Sequence, residues 1–203
     1  MKRVLLVLCA AAVLLPASVS AQRRSVVVFK KSNPFAFSPY AGVWKNAMDN
    51  SIDDENTGWM VGFRVGYDVT RRARLVGDIS YAESSNVGNT PAGTPSYNIY
   101  DDSWIFTTGG AEYDILPGAT SVTFAAQAGA AWRKTTLDEQ IGLTPPPDES
   151  DDGFGSQFVV VPRISVRHSF SGRTGLDVSV LDHILPEDGV DHSPALTIGF
   201  WFR

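Results

Sequence analysis

The last stretch of the chain, residues 194–203, constrains the fold more than any other part of the sequence because two kinds of residue alternate along it. Alternation at period two is typical of a β-strand with one apolar face. One face carries Leu196, Ile198, Phe200 and Phe202, and the other carries Ala195, Thr197, Gly199 and Trp201. We expect this last strand to close a sheet and the preceding chain to build that sheet.

Residues 59–69 show the clearest strand pattern in the chain. One face is apolar without a break and holds aromatic residues near both ends, whereas the other holds small or charged residues such as Gly62, Arg64 and Asp68. A soluble sandwich also alternates, but this contrast between faces is the inside-out pattern of a lipid-facing exterior and a polar lumen.

The same alternation recurs along the chain and predicts eight strands. They are residues 37–46, 59–69, 74–82, 103–116, 121–134, 157–167, 174–181 and 194–203. In the fourth strand Trp104 and Phe106 fall in the inward phase, for which we expect a bulge or a rise of the strand above the bilayer. In the sixth, Pro162 lacks a ladder donor, and we expect a bulge there.

The connections alternate between short and long, which places both chain ends on one side of an up-and-down sheet. The short ones are 70–73, 117–120 and 168–173, and the long ones are 47–56, 83–102, 135–155 and 182–193. The short connections hold Arg71, Arg72 and Arg173 and no acid. The long ones hold no Lys or Arg and carry acidic residues at 49, 53, 54, 55, 83, 101, 102, 138, 139, 148, 149, 151, 152, 182, 187, 188 and 191.

These patterns together resemble the small eight-stranded outer-membrane β-barrels of Gram-negative bacteria, which include the transmembrane domain of outer membrane protein A and outer membrane protein X. The resemblance covers about residues 37–202, and in the closing strand Phe202 supplies the terminal aromatic, with Arg203 after it. It implies an all-β fold, an eight-stranded antiparallel up-and-down transmembrane β-barrel over residues 37–203, located in the outer membrane as a monomer.

The resemblance also implies partners. They are outer-membrane lipid, lipopolysaccharide and the barrel-insertion machinery, which reads the closing strand in this family. The residues expected to form that insertion signal are Leu196, Ile198, Phe200 and Phe202.

Residues 1–21 are predicted to be a cleavable signal peptide, with a basic start, an apolar run over 4–15 and small residues at 19–21. The run is too short for a transmembrane helix, and an uncleaved anchor is the alternative. Residues 22–36 are assigned to a periplasmic lead-in. Cys9 is the only cysteine and leaves with the signal, so we expect no disulfide, thiol nucleophile or cysteine metal site.

The inward phases predict a lumen that holds charges of both signs. An eight-stranded barrel is just wide enough for its side chains to fill it, and opposed charges in that space should pair. We therefore expect a salt-bridged plug, with a narrow gated ion path as the alternative. The predicted network is Arg64, Asp68, Asp78, Glu112, Asp114, Arg133, Arg163, Arg167 and Asp177.

The outward phases place aromatic residues near the strand ends, where an aromatic belt is favourable at a membrane interface. The predicted interface aromatics are Trp59, Tyr67, Tyr81, Tyr113 and Trp132.

Other functional classes find little support. The formal net charge of −5 argues against a nucleic-acid partner, and no cofactor or metal site is expected. Residues 148–159 lack the acidic twelfth position of an EF-hand, where Val159 stands. The expected role is structural or surface-interacting, without catalytic residues.

Two further alternatives stay open. A lipid A-modifying barrel enzyme would need His168, His183 or His192 to meet a nucleophile and an acid in space. A secreted lipocalin-like barrel would turn the aromatic faces inward and bind an apolar ligand.

Overall fold

The computed structural model describes residues 33–46, 57–87, 97–141, 155–186 and 191–203. The predicted signal peptide, most of the predicted lead-in and much of the long connections lie outside these ranges. Within the described ranges, no helix is long and apolar enough to cross a bilayer.

The described residues form eight antiparallel strands that close into one barrel in sequence order, with β1 paired to β8. This confirms the predicted fold class. The strands are β1 Phe35–Lys45, β2 Thr57–Asp68, β3 Ala73–Val87, β4 Tyr97–Leu116, β5 Thr120–Ile141, β6 Gly155–Ser169, β7 Thr174–Leu185 and β8 Asp191–Phe202.

Several strands are longer than their predicted bounds. β1 begins at Phe35 rather than at residue 37, and β3, β4 and β5 extend well into the predicted long connections. At 20 and 22 residues, β4 and β5 exceed the roughly 9–11 that a membrane-crossing strand needs. Glu83, Asp101, Asp102, Asp138, Glu139, Asp182 and Asp191 therefore lie in strands, and their assignment to connections was wrong.

The ladder shows bulges in places other than those predicted. The β4–β5 register shifts between Ile99 and Tyr100 and between Asp114 and Leu116, but it is unbroken from Tyr100 to Asp114. Two explanations were predicted for Trp104 and Phe106, and the first of them, a bulge, was therefore wrong. Both side chains are 2 % exposed and point inward with the rest of their phase.

Pro162 also lies in a strand without a bulge, because β6 keeps one register with β5 through the pair Ala126–Pro162. On the other side, β6 pairs with β7 at Val160 and again at Arg163 in the same register, and the two pairs between them are missing. The barrel accommodates the missing N–H of Pro162 through a gap in the β6–β7 ladder, without a bulge.

The two faces of the barrel wall differ in polarity. The outer face exposes aliphatic and aromatic side chains along every strand from β1 to β8, including Val43, Leu75, Ile164 and Phe200. The inner face holds the buried arginines, carboxylates and hydroxyls, together with a smaller set of buried apolar residues. The long apolar faces of the strands point outward, which argues against the lipocalin-like alternative, since that barrel would turn them inward.

Glycine lets bulky inward side chains lie flat against the wall. A Cβ at Gly62 would lie 2.3 Å from Cζ of Tyr40, whose ring covers that glycine. A Cβ at Gly58 would lie 2.7 Å from Nε1 of Trp44 in the same way. These two small positions on β2 give the large side chains of β1 room inside a narrow barrel.

Candidate functional site

The barrel lumen is the candidate functional site, and its lower part, toward the short turns, is filled by ion pairs. The register makes several oppositely charged residues direct cross-strand neighbours, among them Arg64 and Asp78, and Arg167 and Asp177. Such pairs stabilise a sheet when the side chains lie on one face. We call the following set the ion-pair layer: Arg64, Arg74, Arg163, Arg167 and Arg203 with Asp68, Asp78, Glu112 and Asp177.

Glu112 lies at the centre of the ion-pair layer and accepts from three guanidinium groups. Nη2 of Arg163 lies 2.7 Å from Oε2, Nη1 of Arg167 lies 3.0 Å from Oε1, and Nη1 of Arg74 lies 2.9 Å from Oε1. The carboxylate is buried, so these charge-assisted bonds replace the water that burial removes.

Asp78 and Asp177 extend the ion-pair layer, because Asp78 on β3 binds Arg64 of β2 and Asp177 lies on β7. Asp78 accepts from Nε of Arg64 at 2.9 Å and from the Tyr40 hydroxyl at 2.5 Å. Asp177 accepts from Nε and Nη2 of Arg167 at 3.2 and 3.0 Å, and Ser179 donates to its other oxygen. Each of these two aspartates thus meets at least one arginine and one hydroxyl.

Asp68 closes the layer at the end of the barrel near the short turns. It accepts from Nε of Arg74 at 2.7 Å, and Nη2 of Arg203 lies 3.0 Å from its other oxygen. Partial burial lowers the pKa of Arg203, the residue after β8, and the Asp68 carboxylate opposes that change. This contact ties the closing strand to β2 on the inside of the wall.

Two predicted members of the network take no part in the ion pairs of the ion-pair layer. Asp114 is half-buried and forms no ion pair with any residue in the described part of the chain. Arg133 lies near the opposite end of the lumen, where Nε and Nη2 lie 3.0 and 2.8 Å from Oδ1 of Asp102. The prediction that Arg133 belongs to the same network was wrong.

Above the ion-pair layer the lumen is filled by an aromatic layer, which we define as Trp44, Trp104, Phe106 and His183. Trp104 and Phe106 stack with their centroids 5.7 Å apart, and Trp44 meets both edge-on. The ring of His183 stacks on Phe106 at 4.1 Å. Apolar residues surround these rings, including Met60, Val159, Val161, Leu181 and Leu185.

A third, polar layer covers the aromatic layer toward the long connections. Asp102 accepts from Arg133, from the Thr135 hydroxyl at 2.7 Å and from Nδ2 of Asn46 at 3.0 Å. The guanidinium of Arg133 also lies over the Trp104 ring, 5.7 Å from its centroid. We call Asp102, Arg133, Thr135, Asn46 and Ser84 the Asp102 cluster.

Sequence reasoning missed part of these layers although the phase of each strand contained the signal. Arg74 is in phase with Asp78, and Asp102 is in phase with Trp104 and Glu112. Asp102 was assigned to a connection because the fourth strand was predicted to begin at residue 103, whereas β4 begins at Tyr97. Arg203 is in phase with the inward Trp201, but it follows the terminal aromatic Phe202 and was not counted among the lumen charges.

The predicted interface aromatics lie on the outer face in two groups. Tyr67 and Tyr113 lie beside the short turns and are 43 % and 49 % exposed. Trp59, Tyr81 and Trp132 lie at the other end, where the Tyr81 hydroxyl donates to Glu83 at 3.0 Å and lies 3.1 Å from the Ser103 hydroxyl. Two aromatic groups at opposite ends of an apolar wall are the arrangement expected of a membrane-crossing barrel.

The closing strand presents the four predicted insertion residues on one face. Leu196, Ile198, Phe200 and Phe202 are all outward and about half exposed, while Trp201 points into the lumen.

The histidines lie apart from one another. His183 is buried in the aromatic layer, His168 contacts the Thr120 hydroxyl at one end of β5, and His192 lies on the outer face 2.7 Å from Asp182. Ser193 is buried on the inner face, so it lies on the opposite side of the wall from His192. The described residues contain no group of three or more metal-ligating side chains.

Comparison with known proteins rests on structure. No protein-family model matches the sequence, and no curated protein matches it. Neisserial surface protein A, NspA, superposes with a TM-score of 0.52 at 13 % identity, over 83 % of this chain and 95 % of NspA. Ail, the attachment invasion locus protein of Yersinia pestis, superposes with a TM-score of 0.50 at 15 % identity, over 83 % of this chain and 96 % of Ail. Together with the closed eight-stranded sheet, these likenesses show that the chain has the fold of the small eight-stranded outer-membrane β-barrels.

Proposed function

We propose that this protein spans a bacterial outer membrane as a rigid, non-enzymatic barrel and presents its long connections at the cell surface in a structural or surface-interaction role. The observation that carries the proposal is the inverted wall, with apolar and aromatic side chains outside and buried ion pairs inside. A soluble barrel would expose that apolar wall to water at a high cost in free energy.

The proposed orientation follows from the connections. The described turns at 69–72, 117–119 and 170–173 are short and lie at one end, together with Phe35 and Arg203. Short periplasmic turns and long outer connections are how outer-membrane barrels are built. The name of Ail refers to attachment and invasion, and a surface-interaction role for this chain is proposed by analogy with that name.

The three layers favour a closed lumen over an ion path. Arg163 and Glu112 are each 1 % exposed, and the stacked rings of Trp104 and Phe106 lie above them. An ion would have to displace both the ion pairs and the rings. In planar bilayers we expect no steady openings, whereas steady openings lost in the Arg64→Gln or Glu112→Gln variant would favour the ion path.

The outer face gives a lipid A-modifying enzyme little support. His192 and Asp182 form a pair there, but Ser193, the neighbouring hydroxyl in sequence, points inward. A hydrolytic triad needs its nucleophile, base and acid to converge in space.

The first test is the mobility of the protein on SDS gels, without and with boiling, in the outer-membrane fraction of a Gram-negative host. A closed barrel leaves no strand edge free and resists SDS in the cold. We expect a compact band that shifts on heating. A soluble periplasmic protein with no shift would refute the proposed location.

A further inference from the structure

The turn between β2 and β3 has a fixed backbone that presents an arginine. The N–H groups of Val69 and Thr70 both donate to the carbonyl of Ala73 at 3.0 Å. The Thr70 hydroxyl accepts from the N–H groups of Arg72 and Ala73 at 3.2 and 2.9 Å. The carbonyl of Arg72 in turn accepts from the N–H of Asp114 at 2.8 Å, which ties the turn to β4.

The turn between β6 and β7 repeats this arrangement. The N–H groups of Phe170 and Ser171 both donate to the carbonyl of Thr174, at 3.0 and 3.2 Å. The Ser171 hydroxyl accepts from the N–H groups of Arg173 and Thr174, both at 3.2 Å. The carbonyl of Arg173 accepts from the N–H of Arg203 at 2.8 Å. In both turns an arginine stands two residues after the hydroxyl and three after an apolar residue.

The two turns, which we call the basic turns, lie on opposite sides of one rim. The barrel closes in sequence order through eight strands, so the β2–β3 and β6–β7 connections are separated by four strands in either direction. The β4–β5 turn, at residues 117–119, carries no charged residue. The arginines therefore form two separate, matched positions.

The surroundings of the basic turns mix free positive charge with apolar surface. Arg71, Arg72 and Arg173 are exposed, and none forms an ion pair with a residue in the ranges that the structure covers. Val69 and Phe170 beside them are 52 % and 63 % exposed. A guanidinium held next to an exposed apolar side chain fits the depth of a bilayer at which headgroup phosphates meet acyl chains.

We propose that the two basic turns bind the phosphate groups of anionic phospholipids in the periplasmic leaflet. The inference rests on the proposed location and orientation in the outer membrane. A guanidinium bonds phosphate oxygens through two parallel N–H groups, and the fixed backbone of each turn limits the ordering that binding requires. Two such contacts on opposite sides of the rim hold the barrel level in that leaflet.

The test compares two double variants of the full chain in nanodiscs that contain equal amounts of phosphatidylglycerol and phosphatidylcholine with the same acyl chains. Arg72→Ser/Arg173→Ser removes one arginine from each basic turn. Lys45→Ser/Lys134→Ser removes the same charge from the opposite end of the barrel, where both lysines lie on the outer phase of their strands. Native mass spectrometry counts the phospholipids that remain bound.

We expect the wild-type protein to retain phosphatidylglycerol over phosphatidylcholine. The arginine variant should lose about fivefold or more of that preference, since each basic residue near a surface contributes substantially to binding anionic lipid. The lysine variant should keep it, and added salt should weaken it because headgroup contacts are screened.

Three results would overturn the inference. If the wild-type barrel inserts and shifts on heating but binds the two lipids equally, the basic turns are not lipid sites and the proposed function is unaffected. The same holds if the lysine variant loses as much preference as the arginine variant. If no heat-shifted barrel forms in any nanodisc, the proposed function fails and the inference fails with it.

Discussion

Arg163 and Glu112 lie 51 residues apart in the sequence and meet inside the barrel, where Nη2 of the arginine lies 2.7 Å from Oε2 of the glutamate. Each side chain is 1 % exposed. Because Arg74 and Arg167 also contact the same carboxylate, Glu112 is the anion on which the charge balance of the ion-pair layer depends.

Replacing that anion should destabilise the barrel strongly. In Glu112→Gln three guanidinium groups, two of them buried, lose their shared counter-charge, and removal of one partner from a buried ion pair costs about 3–5 kcal/mol. We expect the urea concentration at which the heat-shifted gel band disappears, for protein folded in lipid vesicles, to fall clearly below that of the wild type.

Asp114→Asn is the matched control for this change. Asp114 lies two residues from Glu112 on the same strand and phase but forms no ion pair within the described residues. The midpoint should stay close to that of the wild type. Equal losses in both variants would show that the effect of Glu112→Gln does not come from its ion pairs.

A methyl group at Gly62, which is not itself a member of the ion-pair layer, should disturb that layer. The Cβ of Gly62→Ala would lie 2.3 Å from the Tyr40 ring, so the ring must move and give up its hydrogen bond to Asp78. Overpacking of this kind costs about 1–3 kcal/mol. The urea midpoint should fall, whereas Gly77→Ala, with its nearest atom 4.0 Å away, should not lower it.

The sequence predicted the fold well because strand alternation reports directly which side chains share a face. The phase of residues 59–69 placed Arg64 and Asp68 inward, and both lie in the ion-pair layer. Alternation carries no information on height along the barrel axis. Arg133 was therefore grouped with the lower arginines, although it lies with Asp102 on the other side of the aromatic layer.

The aromatic layer was the least predictable part. A polar lumen was expected, so inward Trp104 and Phe106 suggested a bulge or a rise of the strand above the bilayer. The structure instead fills the upper lumen with an apolar core in which Trp44, from β1, packs against both rings. That packing depends on contacts across strands that only the register defines.

Restoring a backbone donor at residue 162 should repair the β6–β7 ladder. Pairing with β7 is interrupted between Val160 and Arg163, where Pro162 faces Asp182 without an N–H group. In Pro162→Ala we expect slower hydrogen exchange in β6 and β7 around this gap, because the new N–H can donate to the Asp182 carbonyl. Pro194→Ala is the control, since the β7–β8 pairs around residue 194 are already complete. Unchanged exchange in the first variant would contradict this account of the gap.

Variants of the closing strand can separate two effects, the folding of the barrel and its recognition by the insertion machinery. Phe202 lies on the outer face opposite Thr174 and Phe37, and Phe158 is an equally exposed outward phenylalanine on β6. If the insertion machinery recognises the alternating end of β8, Phe202→Ala should reduce the heat-shifted band in the outer membrane of cells several-fold. The purified variant should still fold in lipid vesicles without the machinery, because its outward side chain contributes little to the lumen. Phe158→Ala should fold normally in both settings, and equal losses of the two variants in cells would exclude a special role for the terminal aromatic.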